Sequence, residues 1–104
     1  MNEADFQLVL EFDGDTSEHL LRTSSVEEAL TESITTGQVD GHDIGGGCMN
    51  ICLFCAEPLR CFEEVLALLT ELNYLPTAAG FRKWGNEAFI RVWPKGDATP
   101  FQLR

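Results

Sequence analysis

One run of residues constrains this chain more than any other. Leu59, Phe62, Val65, Leu66, Leu69 and Leu72 recur at three- and four-residue spacing, which predicts an amphipathic helix with one apolar stripe. Pro58 suits its first position, where the missing N–H costs nothing, and Asn73 and Pro76 mark its end. Such a stripe is stable only against a second apolar layer, so the rest of the chain must supply a sheet or more helices.

It supplies mostly strands. From Asp5 to Phe12, Phe6, Leu8, Leu10 and Phe12 alternate with Gln7, Val9 and Glu11, the mark of a half-buried strand, and Asp13-Gly14-Asp15 turns it. Residues 16–23 are ambiguous between loop and short helical turn. A helix is expected from Ser24, where Ser24 and Glu27 fit a capping box. Val26, Leu30 and Ile34 would form its buried stripe and Gly37 its end. Residues 38–44 read as a short polar edge strand, turned by Gly45-Gly46-Gly47 into a strand over 48–55. Residues 79–84 and 88–93 read as two strands around Gly85-Asn86.

The order strand, helix, strand, strand, helix, strand, strand predicts an α+β fold. It is a ferredoxin-like β-α-β-β-α-β(-β) sandwich, an antiparallel sheet with two helices on one face. Residues 1–96 form the single domain and 97–104 a short, mobile C-terminal tail.

Charge narrows the partners. The 104 residues hold 7 Lys and Arg against 17 Asp and Glu, a formal net charge of −10. Residues 1–47 carry eleven acids and one base, Arg22. A phosphate-backbone binder needs clustered Lys and Arg, so neither nucleic acid nor an anionic membrane is an expected partner. The start Met1-Asn2-Glu3-Ala4-Asp5 lacks the basic and apolar regions of a signal peptide, and a cytoplasmic location is expected.

Cys48, Cys52, Cys55 and Cys61 fall in the spacing C-x3-C-x2-C-x5-C. Clustered thiols in a reducing compartment raise metal or redox chemistry. The first three are similar to the C-x3-C-x2-C signature of radical S-adenosylmethionine enzymes, in which three thiolates hold an iron–sulfur cluster. That family needs a far longer barrel. On a strand, moreover, Cys48 and Cys52 face one way and Cys55 the other. The reading adopted is four small buried apolar side chains, with no metal and no cofactor.

Two places remain for function. The sheet face away from the helices would carry Gln7, Val9, Glu11, Asn50, Cys52, Phe54, Arg82, Trp84, Phe89, Arg91 and Trp93. Its aromatic and arginine groups are those that anchor interfaces. Alternatively the tail folds back over it, with Phe101 or Leu103 as the plug. Asp40-Gly41-His42-Asp43 is the second place, with Asp40 and His42 on one strand face, able to hold a divalent ion or move a proton. Local hydrogen bonds in an edge hairpin account for it as well. No residue is assigned a catalytic role.

Partner or ligand contact is therefore placed on Asp40, His42, Asp43, Asn50, Phe89, Arg91 and Trp93. The expected function is a non-enzymatic interaction module, self-associating as a homodimer or binding another protein through the open sheet face. The alternatives are a metal- or thiol-dependent small enzyme, a small-molecule sensor, and an acidic immunity-type inhibitor whose charge steers a basic partner.

The stretch from Val39 to Ile51, with Glu57-Pro58 after it and Val92-Trp93-Pro94 later, resembles a group of small uncharacterised bacterial proteins. They read V-D-G-H-D-x-G-x-G-x-M-N-I-F and end a strand in Trp-Pro. Asp40, Gly41, His42, Asp43, Asn50, Ile51 and Trp93 match that pattern. Cys52 stands where an aromatic is usual, and Cys48 and Cys55 are departures. The resemblance implies a ferredoxin-like fold in a bacterial cytoplasm and no assigned activity.

Overall fold

Alternation along the first strand becomes β1 (Phe6–Asp13), the middle of the sheet. The computed structural model describes residues 5–103, so the first four residues and Arg104 lie outside the described residues. After β1 come α1 (Ser17–Ser33), β2 (Gly37–Gly45), β3 (Cys48–Cys55), α2 (Pro58–Glu71), β4 (Ala78–Lys83) and β5 (Ile90–Trp93). They form one five-stranded sheet in the order β2-β3-β1-β4-β5, with every pairing antiparallel. This is the expected α+β, ferredoxin-like arrangement, with β1 and β3 central and β5 extending the sheet past β4. No described helix is long and apolar enough to cross a membrane.

The main core lies between helices and sheet. Leu8, Leu10 and Phe12 of β1 meet Ile51, Leu53 and Cys55 of β3, Val26 and Leu30 of α1, and Cys61, Phe62, Val65 and Leu69 of α2. Each such buried Leu, Ile or Val contributes roughly 1.5–3 kcal/mol relative to exposure. The α2 stripe is narrower than its spacing suggests, because Leu59 and Leu72 remain exposed.

Three local expectations are corrected. Helix α1 begins at Ser17, not Ser24, because Thr16 caps it: its Oγ1 accepts from the His19 N–H, and the His19 ring reaches back to the Thr16 N–H. The Ser24–Glu27 pair falls inside the helix. Gly37 does not end α1, which stops at Ser33 with Ile34 as its cap, but opens β2. A Cβ there would lie 2.8 Å from the Phe54 carbonyl oxygen and 3.0 Å from Cys61 Sγ, so only glycine lets the chain pass. The third correction concerns β5. Trp93 pairs with Ala79 and Arg91 with Gly80, so Val92 is the extra residue of a bulge. That slip turns Trp93 toward the helices, where it packs on Phe62 with ring centroids 6.1 Å apart.

Candidate functional site

The second sheet face is partly occupied by the chain's own C-terminal segment. Phe101 is 3% exposed and packs with Val9, Cys52 and Ala78, with Phe89 beside it. The Phe89 and Phe101 centroids are 5.4 Å apart. Arg91 fastens this segment: Nε donates to the Thr99 carbonyl at 2.6 Å, and other guanidinium nitrogens donate to the carbonyls of Trp93 and Pro100. Arg82 donates to Gln7 Oε1 at 2.8 Å and lies over the rings of Phe89 and Trp84. Both arginines are thus committed within the molecule. Trp84 remains 58% exposed, edge-on to Phe54.

The thiols divide between the two faces. Cys52 sits under Phe101, and burial, then Asp43 and Asp40, push its pKa up to about 11. Cys55 and Cys61 meet in the helix-side core. Cys55 donates toward the Cys61 sulfur, which raises the Cys55 pKa and lowers that of Cys61; the Thr36 hydroxyl also lowers the latter. Cys48 Sγ donates to the Gly45 carbonyl at 3.4 Å. Among the described residues no group of three or more His, Cys, Asp or Glu is placed to hold a metal ion.

The Asp-His stretch lies on β2, at the sheet edge. Its strand is bulged: Gly41 opposes Cys52 and Val39 opposes Leu53, leaving Asp40 as the extra residue. Asp40 and His42 therefore do not share a face by simple alternation. His42 opposes Ile51 and points toward α1, with Nδ1 3.0 and 3.1 Å from the two Glu27 oxygens. Asp43 opposes Asn50, a buried residue whose Oδ1 has no hydrogen-bond partner among the described residues.

Along this edge runs a groove of about 650 Å³. One wall is Ser24, Glu27, Glu28, Thr31 and Glu32 of α1, and the other is Val39, Asp40, Gly41 and His42 of β2. Helical geometry explains the first wall. Positions 24, 27, 28, 31 and 32 share one face, beside the Thr23, Val26 and Leu30 face that enters the core. This polar stripe stands in the sequence at helical spacing, but as solvated acids and hydroxyls it looks like any exposed helix face until β2 is set beside it. Of the residues expected to make contact, the structure brings Asp40 and His42 together on the groove and sets Asp43 beside Asn50. Phe89 and Arg91 surround Phe101, and Trp93 lies across the sheet from them.

A polar clasp holds the connection between the two walls. Glu64 of α2 accepts four hydrogen bonds, from the backbone N–H and hydroxyl of Thr35 (2.9 Å each) and of Thr36 (3.0 and 2.6 Å). These bonds lower its pKa to about 2. They fix the connection from α1 to β2, and so the position of one groove wall against the other.

Set against family models, curated proteins and solved structures, the chain matches none of them.

Proposed function

We propose that this chain is a non-catalytic interaction module that takes an extended segment of a partner protein along the outer edge of β2. One observation carries the reading. Among the described residues β2, a nine-residue strand, is hydrogen-bonded in the sheet to β3 alone, and its other side opens into the groove under α1. An edge strand leaves a row of N–H and C=O groups for an incoming strand, and an overhanging helix supplies side-chain contacts beside it. The groove is the better docking surface than the opposite sheet face, because Phe101 already occupies the middle of that face and Arg82 and Arg91 are committed there.

The test is selection from a display library of random decapeptides on the intact chain, followed by amide chemical-shift mapping of the enriched peptides. The expected result is shifts concentrated on β2 and α1, with binding lost when alternate peptide amides are N-methylated. Enrichment of peptides that map to Trp84 and Phe54, indifference to N-methylation, or no enrichment at all would overturn the reading.

A further inference from the structure

We infer that the segment added to β2 is basic, with Lys or Arg at the alternate positions that face α1. The inference rests on the strand-addition reading above and names its partner chemistry.

The groove's charge is of one sign. Among the described residues Glu27, Glu28, Glu32 and Asp40 line it, and no Lys or Arg does. Glu27 is engaged by the His42 ring. Among the described residues no cation pairs with Glu28, Glu32 or Asp40. The one base in residues 1–47, Arg22, turns elsewhere: it donates to the Asn73 carbonyl and lies over the Tyr74 ring. Among the described residues, three carboxylates thus stand without a cation beside a strand edge that no other strand pairs.

Geometry says which partner residues would meet them. A strand added at the ordinary spacing of about 4.8 Å continues the pleat of β2, so every second side chain projects to the helix side of the sheet. There Val39 and His42 already point, as their partners Leu53 and Ile51 in the helix-side core show. The next strand outward carries its own helix-side residues under Glu28 and Glu32. Long Lys or Arg stems can lie along the groove floor and bring their charges to the carboxylates. A second copy is a poor occupant, since β2 against β2 would set Glu28, Glu32 and Asp40 of one molecule near the same carboxylates of the other. Like charges across strands are destabilising.

The probe is a capped peptide alternating Lys and Val, compared with versions carrying Ser or Glu in place of Lys, titrated into the full chain by calorimetry. The Lys–Val peptide is expected to bind best and the Glu–Val peptide not at all. In the chain, Glu28→Gln with Glu32→Gln should weaken the Lys–Val peptide by about ten-fold, the sum of two modest exposed pairs. Glu71→Gln with Glu87→Gln makes the same change in net charge away from the groove and should leave affinity unchanged. Reversal at Glu28→Lys with Glu32→Lys should transfer preference to the Glu–Val peptide. All these sites are exposed, and circular dichroism checks that the variants fold. Equal binding of Lys–Val and Ser–Val peptides at β2 would overturn the basic assignment and leave strand addition standing. Binding of none, together with failure of the library selection, would overturn both. Equal losses from the groove pair and the remote pair would also overturn the assignment, because net charge alone would then account for the attraction. Concentration-dependent dimers in sedimentation of the chain alone, abolished by the unmethylated Lys–Val peptide and not by its N-methylated version, would give the edge to a second copy and overturn the basic assignment.

Discussion

An alanine at Gly80 would place its Cβ 2.7 Å from the Phe101 ring, so the glycine is what lets the C-terminal segment lie flat on β4. Phe101 in turn shields Cys52, which is 8% exposed. A thiol that is both covered and held near a pKa of about 11 is a poor nucleophile at neutral pH, since the thiolate is the reactive form. The native chain should therefore react slowly with a disulfide reagent at all four cysteines, each of which is buried. Phe101→Ala is expected to cost about 3 kcal/mol in urea unfolding and to make one thiol fast. The further change Cys52→Ser should abolish that fast phase. An unchanged time course in Phe101→Ala would mean that Phe101 is not what shields the thiol. Little of this was readable beforehand. Phe101 stands in a polar, aperiodic tail, and nothing in the sequence chose between Phe101 and Leu103 as the covering residue. The partition of the cysteines was readable, because strand alternation alone sets Cys52 and Cys55 on opposite faces.

The elements followed the sequence where periodicity was long, as in β1 and α2, or where a glycine turn marked a start, as at β3, and departed where a single residue overrode it. A cap moved the start of α1 to Ser17, and bulges at Asp40 and Val92 changed which side chains share a face. A bulge is chosen by the fit between neighbouring strands, and a lone sequence carries no sign of it. Two expectations belong here. Thr16→Ala should lower stability by about 1 kcal/mol, while Ser24→Ala, inside the helix, should change it by less than about 0.5 kcal/mol. Equal effects in chemical denaturation would return the helix start to Ser24. The second concerns Glu64, which ties α2 to Thr35 and Thr36. Its folded pKa of about 2 lies below the ordinary 4.5, so its contribution is present above pH 4.5 and is lost as pH falls through about 2. Glu64→Gln should thus be less stable than the native chain at neutral pH, by about 1 kcal/mol because solvent reaches the carboxylate. The gap should close in the acid range. A gap of constant size from neutral pH down to pH 2 would show that the hydrogen bonds, and not the charge, carry the clasp.

At the scale of the molecule, the acidic first half is also the half that builds the groove, through α1 and β2. The excess of eleven acids over one base was plain in the sequence. Its gathering against a free strand edge was not, because the split topology alone brings α1 over β2. The same charges should act with opposite sign on two measurable quantities. Within the chain, a net charge of −10 repels itself and destabilises the compact state. Toward a Lys–Val peptide, the groove carboxylates attract. Salt screens both, with a range that shrinks from about 20 Å near 0.02 M to about 6 Å near 0.3 M. Raising NaCl across that interval should therefore increase the urea midpoint of the free chain while weakening the peptide several-fold. Glu28→Gln with Glu32→Gln should flatten both slopes, since it removes charge from the sum and from the groove together. If affinity and stability instead rise together, the peptide is held by apolar burial, which salt strengthens, and the carboxylates of α1 are bystanders to its docking.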